Sequence, residues 1–160
     1  MEKHEIRQIL KELAFSAELP DHVLGPIVEA AVVVDYPRGA VLFREGSENH
    51  NLYLICEGAV VLEMCVPARG CVRLLSLGPG DMVAWSALLG DGQMTSSALV
   101  TEDTQCIAIS AKKLRALCES NHELGFYLMQ RMALALSRRL LATRIQLLDV
   151  FASEPPLRVE

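Results

Sequence analysis

The stretch Leu77–Leu99, with the sequence LGPGDMVAWSALLGDGQMTSSAL, combines the signals of a strand, a turn and a short helix. A Gly-Pro-Gly turn leads into an apolar segment with helix potential, and the polar run Met94–Ser97 follows. An insert of this kind between two strands presents backbone N–H groups at a helix N-terminus, where anions bind. We therefore predict that a small ligand, if the chain binds one, lies against this stretch. The alternative is an ordinary corner of a β-barrel.

On both sides of this stretch, short strand-like runs alternate with turns that contain glycine or proline. Helical patterns are absent between most of these runs, which is typical of an antiparallel barrel or jelly roll. We predict a mainly β fold with flanking helices, a double-stranded β-helix of the jelly-roll type. The predicted strands cover residues 32–36, 40–43, 51–57, 59–66, 71–77, 97–100 and 104–110.

The chain begins with two helical patterns. Residues 3–18 carry apolar side chains at helical spacing among charged ones, which predicts a short amphipathic helix. Asp21 is a suitable N-cap for a second short helix over residues 22–31. Together they predict a helical arm in front of the barrel.

Two further helical patterns follow the last strand. Ser110 is a suitable N-cap for the first, and Asn121 for a long helix over residues 122–151. Apolar residues form two stripes along the long helix, which is more apolar surface than one barrel face can bury. We therefore predict homodimerisation through this helix. The alternative is a helix packed entirely on its own barrel. The predicted dimer contacts are Met132, Leu136, Leu140, Thr143 and Leu147.

Composition favours one globular domain. The chain has 160 residues, of which 51% are hydrophobic, and a formal net charge of -5 that argues against a large nucleic-acid footprint. No signal-peptide pattern opens the chain and no apolar run is long enough to span a bilayer, so we predict a soluble cytoplasmic protein without membrane contact. The predicted organisation is a helical arm over 1–31, a barrel over 32–110 with its ligand insert at 78–98, C-terminal helices over 111–152 and a tail over 153–160.

The residues that carry chemistry do not form a catalytic pattern. None of the five cysteines belongs to a C-x-x-C pair, and most lie in apolar strand-like runs, where cysteine behaves as a small buried hydrophobe. The order of serine, cysteine, histidine and acidic residues fits no known nucleophile motif. We predict that the protein is not an enzyme and needs no metal or cofactor.

Four motifs follow one another along the chain. They are Gly39-x-x-x-Phe43-x-Glu45-Gly46, Tyr53-x-Ile55-x-x-Gly58, Leu77-Gly78-x-Gly80-Asp81 and Ile109-Ser110-x-Lys112-Lys113-Leu114. This order resembles the cyclic-nucleotide-binding fold of the catabolite-activator/FNR (CRP/FNR) superfamily, over about residues 10–150. The resemblance implies a phosphate-binding cassette at 78–98 and a non-catalytic sensory or regulatory function.

The cassette departs from the pattern of nucleotide-binding members. There, a glutamate accepts a hydrogen bond from the ribose 2′-OH and an arginine pairs with the cyclic phosphate. The family's Gly-Glu positions fall on Ala84 and Trp85, and its arginine position falls on Met94 or, counted forward, on Thr95. An indole N–H only donates, and a thioether has no charge. Loss of the arginine–phosphate pair costs about 2–5 kcal/mol, so we predict that cyclic AMP is not bound in the usual way.

Two alternatives for the cassette remain open. In the first, its hydroxyl groups and helix N-terminus hold a weaker or different anion, or they line a smaller and more apolar pocket. In the second, Trp85 and Met94 fill the former pocket and no ligand binds. By the resemblance, Arg139 and Arg144 of the long helix lie where a ligand is contacted, although both also suit a solvated helix face. The predicted ligand-binding residues are Ala84, Trp85, Ser86, Ala87, Met94, Thr95, Ser96, Ser97, Arg139 and Arg144.

The resemblance also bears on partners. Transcription regulators of this family continue into a helix-turn-helix domain, whereas about ten residues follow Val150 here, so we expect no direct DNA recognition. The runs Trp85–Leu88 and Gln146–Val150 resemble a subset of stand-alone domains encoded near hydrogenase and other redox enzymes, which implies a redox-associated protein partner.

Three functions therefore remain: a sensory dimer with an unknown small-molecule effector, an adaptor dimer with a plugged pocket, and a haem or thiol redox sensor. The candidate ligands of the last are His50, His122, Cys65, Cys71 and Met94.

Overall fold

The structure, a computed structural model, describes residues 2–152, and the predicted tail 153–160 lies outside them. Five helices are described: α1 (Lys3–Glu12), α2 (Asp21–Ala30), α3 (Ser86–Leu89), α4 (Ala111–Ser120) and α5 (His122–Ala152). Eight strands are described: β1 (Ala31–Tyr36), β2 (Val41–Phe43), β3 (Asn51–Glu57), β4 (Val60–Val66), β5 (Gly70–Leu77), β6 (Met82–Val83), β7 (Ser97–Val100) and β8 (Thr104–Ser110).

The strands form two four-stranded antiparallel sheets, in the orders β1-β8-β3-β6 and β2-β7-β4-β5. Their facing sides enclose one cluster of buried side chains that includes Ile55, Val60 and Cys106. The turn between β3 and β4 requires glycine, because Gly58 has a φ of +95° and a Cβ there would lie 2.5 Å from the Asp103 carbonyl oxygen. The predicted jelly-roll barrel with flanking helices is confirmed.

A second cluster joins the helices to the outer side of the first sheet. It contains Leu10 of α1, Leu24 of α2, and Leu128 and Met132 of α5. Met132 is only 1% exposed, so its prediction as a dimer contact is wrong: it belongs to the core of its own chain. Leu136 is partly buried against the same cluster and also serves this core.

The first helix is shorter than predicted, since α1 ends at Glu12 and residues 13–19 form turns. The Arg131 guanidinium of α5 donates to the carbonyl oxygens of Ala14 at 2.6 Å and Phe15 at 2.9 Å. If the helix continued, these carbonyls would accept hydrogen bonds from the backbone N–H groups four residues later. A contact with a distant residue therefore replaces the helical bonds. The second helix also begins one residue early, with Pro20 as its N-cap and Asp21 in its first turn.

The last part of α5 extends past the barrel and carries large exposed apolar side chains. Leu147 is 55% and Leu148 66% exposed. The others in this part are Leu140, Leu141, Ile145, Val150 and Phe151. A continuous apolar surface of this kind is typical of an interaction site. Among residues 2–152, no helix combines the length and apolarity needed to cross a membrane.

Candidate functional site

The predicted ligand insert is anchored to the barrel by backbone hydrogen bonds. After β5, the chain turns through Gly80, whose N–H donates to the Ile55 carbonyl at 2.8 Å. The Asp81 carboxylate accepts from the Gly78 N–H at 2.8 Å and closes the turn. The two-residue strand β6 then pairs with β3 and leads into the single turn of α3. The motif Leu77-Gly78-x-Gly80-Asp81 therefore positions the start of the cassette.

Ala84 has a backbone conformation that favours glycine. Its φ is +70°, and it is 7% exposed within the barrel cluster. An L-residue in this left-handed region costs about 1–2 kcal/mol relative to the right-handed one. The conformation agrees with the resemblance to the family, whose cassette glycine falls on Ala84.

This strain predicts different responses to the same substitution at two buried alanines. Ala84→Gly is expected to change the free energy of unfolding by less than about 0.5 kcal/mol, because the relieved strain offsets a lost methyl group and a more flexible unfolded chain. Ala87→Gly, in the helical turn of α3 and fully buried, is expected to destabilise by about 2 kcal/mol. Urea unfolding of the two variants measures the difference, and equal losses would contradict the strain at Ala84.

Met94 fills the centre of the cassette. It is 3% exposed, and its Sδ accepts from the Asn49 Nδ2 at 3.7 Å and from the Ser86 Oγ at 3.8 Å. Thr95 is exposed. Of the two positions considered for the family's arginine, Met94 is therefore the inward one.

The cavity that remains beside Met94 has a volume of about 20 Å³. Such a space holds about one water molecule. It is lined by Phe43, Leu62, Ala84, Trp85, Ser86, Met94, Thr95, Ser96 and Arg139. In this conformation the cassette is closed to a nucleotide.

The short helix α3 contributes less to an anion site than predicted. The Ala87 N–H donates to the Ala84 carbonyl at 3.0 Å, and the Leu88 N–H to the Trp85 carbonyl at 3.1 Å. These donors are already satisfied, and four residues build only a small helix dipole. Trp85 is partly buried and packs against the helical cluster while it lines the cavity.

Arg139 is the charged group of the cavity. Its Nη2 donates to the Met82 carbonyl, and its Nη1 is a buried side-chain nitrogen without a partner among the described residues. Burial lowers the pKa of Arg139, and the negative charge of Asp81 partly offsets this shift. The guanidinium keeps its proton in proteins, so it places at the cassette a positive charge that Asp81 only partly offsets. Arg139 also lines a neighbouring cleft of about 250 Å³ between α5 and the end of β5.

Three predicted ligand residues do not line the cavity. Ala87 lies fully buried behind it, and the Ser97 Oγ accepts from the Glu45 N–H at 2.8 Å. Arg144 is exposed on α5 and makes no contact with the cassette in the described part of the chain. The sequence interpretation missed Asn49, whose amide orients Met94, and Arg115, whose Nη2 donates to the Ala87 carbonyl at 2.7 Å and caps α3.

The residues considered for haem or redox chemistry are dispersed. His50 is exposed and lies 3.6 Å from the Glu48 carboxylate, and His122 is exposed at the start of α5. Cys65 and Cys71 are exposed and joined by a disulfide, so the burial expected for most of the cysteines does not extend to this pair. Within residues 2–152, the only three side chains that come together as potential metal ligands are Glu63, Cys65 and Cys71.

Comparison with known proteins agrees with this fold. The family model of the cyclic nucleotide-binding domain matches residues 33–121. A CRP-like cAMP-activated global transcriptional regulator of Mycobacterium tuberculosis is 30% identical over 126 residues, which cover 79% of this chain and 54% of the regulator. The chain thus spans about half the length of that relative.

Solved structures show the same fold. A protein from Geobacter metallireducens classed as cyclic nucleotide-binding has a TM-score of 0.74 at 31% identity, with 88% of this chain and 98% of that one covered. A cyclic nucleotide-binding domain from Methylobacillus flagellatus has a TM-score of 0.79 at 20% identity, with 97% and 86% covered.

Proposed function

This chain belongs to the cyclic nucleotide-binding domain family, and from that premise we propose that it is a non-catalytic regulatory module whose cassette binds a small anion through Arg139. The family supports a regulatory role of the CRP type. The finer proposal concerns the ligand, which differs in size and in its charged contact from a cyclic nucleotide bound in the usual way.

The observation that carries this proposal is the unpartnered Nη1 of Arg139. A buried polar atom without a hydrogen bond costs about 1–3 kcal/mol, and more if it is charged. Because native proteins rarely leave such atoms unpaired, the vacant donor favours an acceptor that binds there. The neighbouring Thr95 and Ser96 supply hydroxyl groups to the same cavity. A small anionic acceptor such as phosphate or carboxylate matches this donor set in charge, and the cavity of about 20 Å³ has to widen to admit it.

The positive charge at this cassette comes from an arginine of helix α5, whereas nucleotide-binding members of the family carry their arginine in the cassette itself. The cassette carries Met94 at its inward position, and the charge reaches it from α5. Ligand binding at Arg139 therefore acts directly on the helix that we propose forms the dimer. A shift of that helix is the route by which occupancy is transmitted.

A second candidate function is an adaptor dimer whose pocket is permanently filled. The packing of Met94 against Asn49 and Ser86 favours it, since the remaining cavity is only about 20 Å³. This candidate predicts that partner binding is independent of small molecules. In both proposals the chain needs no resident cofactor, and a redox-associated protein is the proposed partner class.

The test uses thermal unfolding in the presence of inorganic phosphate, acetate and cyclic AMP. A ligand at ten times its Kd is expected to stabilise the protein by about 1.4 kcal/mol, which raises the Tm by about 3–5 °C. Arg139→Gln is expected to abolish the shift, and Arg139→Lys to keep part of it. Arg144→Gln is the matched control, because it removes the same charge from an exposed residue of the same helix that lines neither the cassette cavity nor the neighbouring cleft.

The outcomes separate the two functions. A shift that Arg144→Gln keeps and Arg139→Gln loses supports the anion site. The absence of a shift with every anion, in a protein that still binds its partner, favours the adaptor. An equal loss in both variants would show a general effect of charge and would overturn the role of Arg139.

A further inference from the structure

The β4–β5 hairpin carries a disulfide at the surface of the molecule. Cys65 and Cys71 are six residues apart in sequence, and both are exposed. Strand β5 is the edge strand of its sheet, and most of its residues are exposed. Opening this bond would therefore uncover no part of either core cluster.

The register of the hairpin keeps the two cysteines together whether or not they are bonded. Cys65 and Cys71 lie directly opposite each other, with neighbouring pairs on both sides. The Cys65 N–H donates to the Glu45 carboxylate at 3.1 Å, away from β5. The two cysteines thus form a non-hydrogen-bonded pair, in which opposite side chains are closest. After reduction, the thiols would stay adjacent and could close again.

The Glu63 side chain next to the two sulfur atoms is compatible with both the disulfide and the reduced thiols. The Glu63 carboxylate lies within 4.8 Å of both sulfur atoms. In the reduced state it offers an acceptor for a thiol S–H group.

The other three cysteines differ in exposure and reactivity. Burial raises the pKa of the Cys56 thiol to about 11 and of the Cys106 thiol to about 12, and it also raises the pKa of Cys118. The thiolate is the reactive form, so these three react slowly. Redox chemistry is thereby concentrated on the hairpin.

Strand β4 connects the hairpin with the cassette. Leu62 of this strand lines the cassette cavity, three residues before Cys65. Glu45, which accepts from the Cys65 N–H, itself donates from its backbone N–H to the Ser97 Oγ at 2.8 Å. The next residue, Gly46, donates to the Met94 carbonyl at 2.8 Å. Two hydrogen bonds, linked by the peptide bond between Glu45 and Gly46, thus connect Cys65 with Met94.

We propose that Cys65 and Cys71 are a reversible thiol–disulfide site, exchanging with small dithiols and disulfides, and that Glu45 transmits its state to the cassette. The exchange itself is independent of the proposed anion site; its regulatory consequence rests on the cassette being the functional site.

The reaction balances with a dithiol as the reductant. One of its thiolates attacks a sulfur of the pair, the S–S bond breaks, and a mixed disulfide forms while the other cysteine leaves as a thiolate and takes up a proton. The second thiol of the reductant then attacks the mixed disulfide and releases the remaining cysteine. Two electrons pass from the dithiol to the protein. A small disulfide such as oxidised glutathione accepts them in the reverse direction.

The first experiment counts free thiols by alkylation and mass spectrometry. Protein treated with oxidised glutathione is expected to show three alkylated cysteines, Cys56, Cys106 and Cys118, after denaturation. Dithiothreitol is expected to raise the number to five without loss of the circular-dichroism signal, and oxidised glutathione to restore three. Five thiols in the oxidant would overturn the proposal, as would reduction that unfolds the protein.

The second experiment measures the effect on the cassette without any ligand. Trp85 is the only tryptophan of the chain and lines the cavity, so its fluorescence reports on the cassette. Its emission is expected to change with the same redox midpoint as the thiol count, and to be insensitive in the Cys65→Ser/Cys71→Ser variant. Glu45→Ala is expected to abolish the response, whereas Glu45→Gln keeps a hydrogen-bond acceptor and should retain it. A reversible thiol count with unchanged emission, or a response that survives in Glu45→Ala, would overturn the transmission through Glu45.

Because neither readout uses a ligand, a failure of the anion site in the thermal-shift test leaves both results interpretable. The two proposals therefore fail separately.

Discussion

Leu147→Glu is expected to make the protein monomeric at concentrations at which the proposed dimer of the parent chain forms. Leu147 is 55% exposed on the part of α5 that extends past the barrel. Full burial of a leucine contributes about 1.5–3 kcal/mol. In a two-fold symmetric dimer the substitution occurs twice, and two carboxylates are placed in one apolar interface. We expect the dimer Kd to rise by at least about 100-fold, or about 3 kcal/mol.

Sedimentation equilibrium measures this change, and the neighbouring residue provides the control. Gln146→Glu adds the same charge on a different side of the helix and is expected to leave the Kd within a few-fold of the parent value. A parent chain that is monomeric at 100 μM, taken as about the upper end of working concentrations, would contradict the proposed dimer. An equal effect of both substitutions would show that α5 is sensitive to charge in general and would argue against a specific apolar interface.

The strands were predictable because their signals are local. The bounds of β3, β7 and β8 agree with the sequence prediction residue for residue, since Gly58 follows β3 and the acidic turn at residues 101–103 separates β7 from β8. The caps of the C-terminal helices were predictable for the same reason. The Ser110 Oγ accepts from the Lys113 N–H, and the Asn121 Oδ1 from the Leu124 N–H.

Features that depend on distant residues were not predictable in this way. The spacing of Ala14 and Ala17 continues a helical pattern, whereas the structure ends the helix at Glu12, where Ser16 and Arg131 bind carbonyl oxygens of this segment. Met132 fits the apolar stripe of a dimer helix, but the choice between a partner and its own core depends on how α5 crosses the barrel.

The cysteine pair had a local signal that the sequence interpretation did not use. The hairpin turn was expected at residues 67–70, and the structure pairs Val66 with Gly70. That register places Cys65 of β4 opposite Cys71 of the edge strand β5. The apolar character of the neighbouring residues instead suggested burial.

The sequence predicted which residues form the cassette better than it predicted how their side chains are oriented. The residues from Ala84 to Ser86, with Met94 and Arg139, were predicted to meet and do line one cavity. The orientation of Arg139 was not derivable from its helical position, because α5 presents four arginines and only packing decides which one reaches the barrel. The positive φ of Ala84 was implicit in its alignment with glycine.

Restoring the family's two charged residues is expected to create cyclic AMP binding. In a Trp85→Glu/Met94→Arg variant, the carboxylate accepts from the ribose 2′-OH and the guanidinium pairs with the cyclic phosphate. The arginine pair alone contributes about 2–5 kcal/mol, or roughly 30- to several-thousand-fold in affinity. Isothermal titration calorimetry should show weak or no uptake by the parent chain and a Kd lower by at least about 100-fold in the double variant.

Matched variants distinguish the effect of the added charges from the effect of side-chain volume in the cassette. Met94→Leu keeps an apolar side chain of similar volume and is expected to gain nothing, while Trp85→Gln/Met94→Arg lacks the carboxylate and should gain less than the full pair. The contribution of Glu at position 85 is expected to disappear when 2′-deoxy-cyclic AMP replaces cyclic AMP, because the hydroxyl that it accepts from is missing. Since the two residues act on one ligand, their effects are expected to be non-additive, and a double-mutant cycle measures the coupling.

Tight saturable uptake of cyclic AMP by the parent chain would show that Trp85 and Met94 do not prevent binding. A double variant that is folded, as judged by circular dichroism, and still takes up no cyclic AMP would instead show that the closed packing around Asn49 and Ser86, rather than the missing charges, excludes the nucleotide.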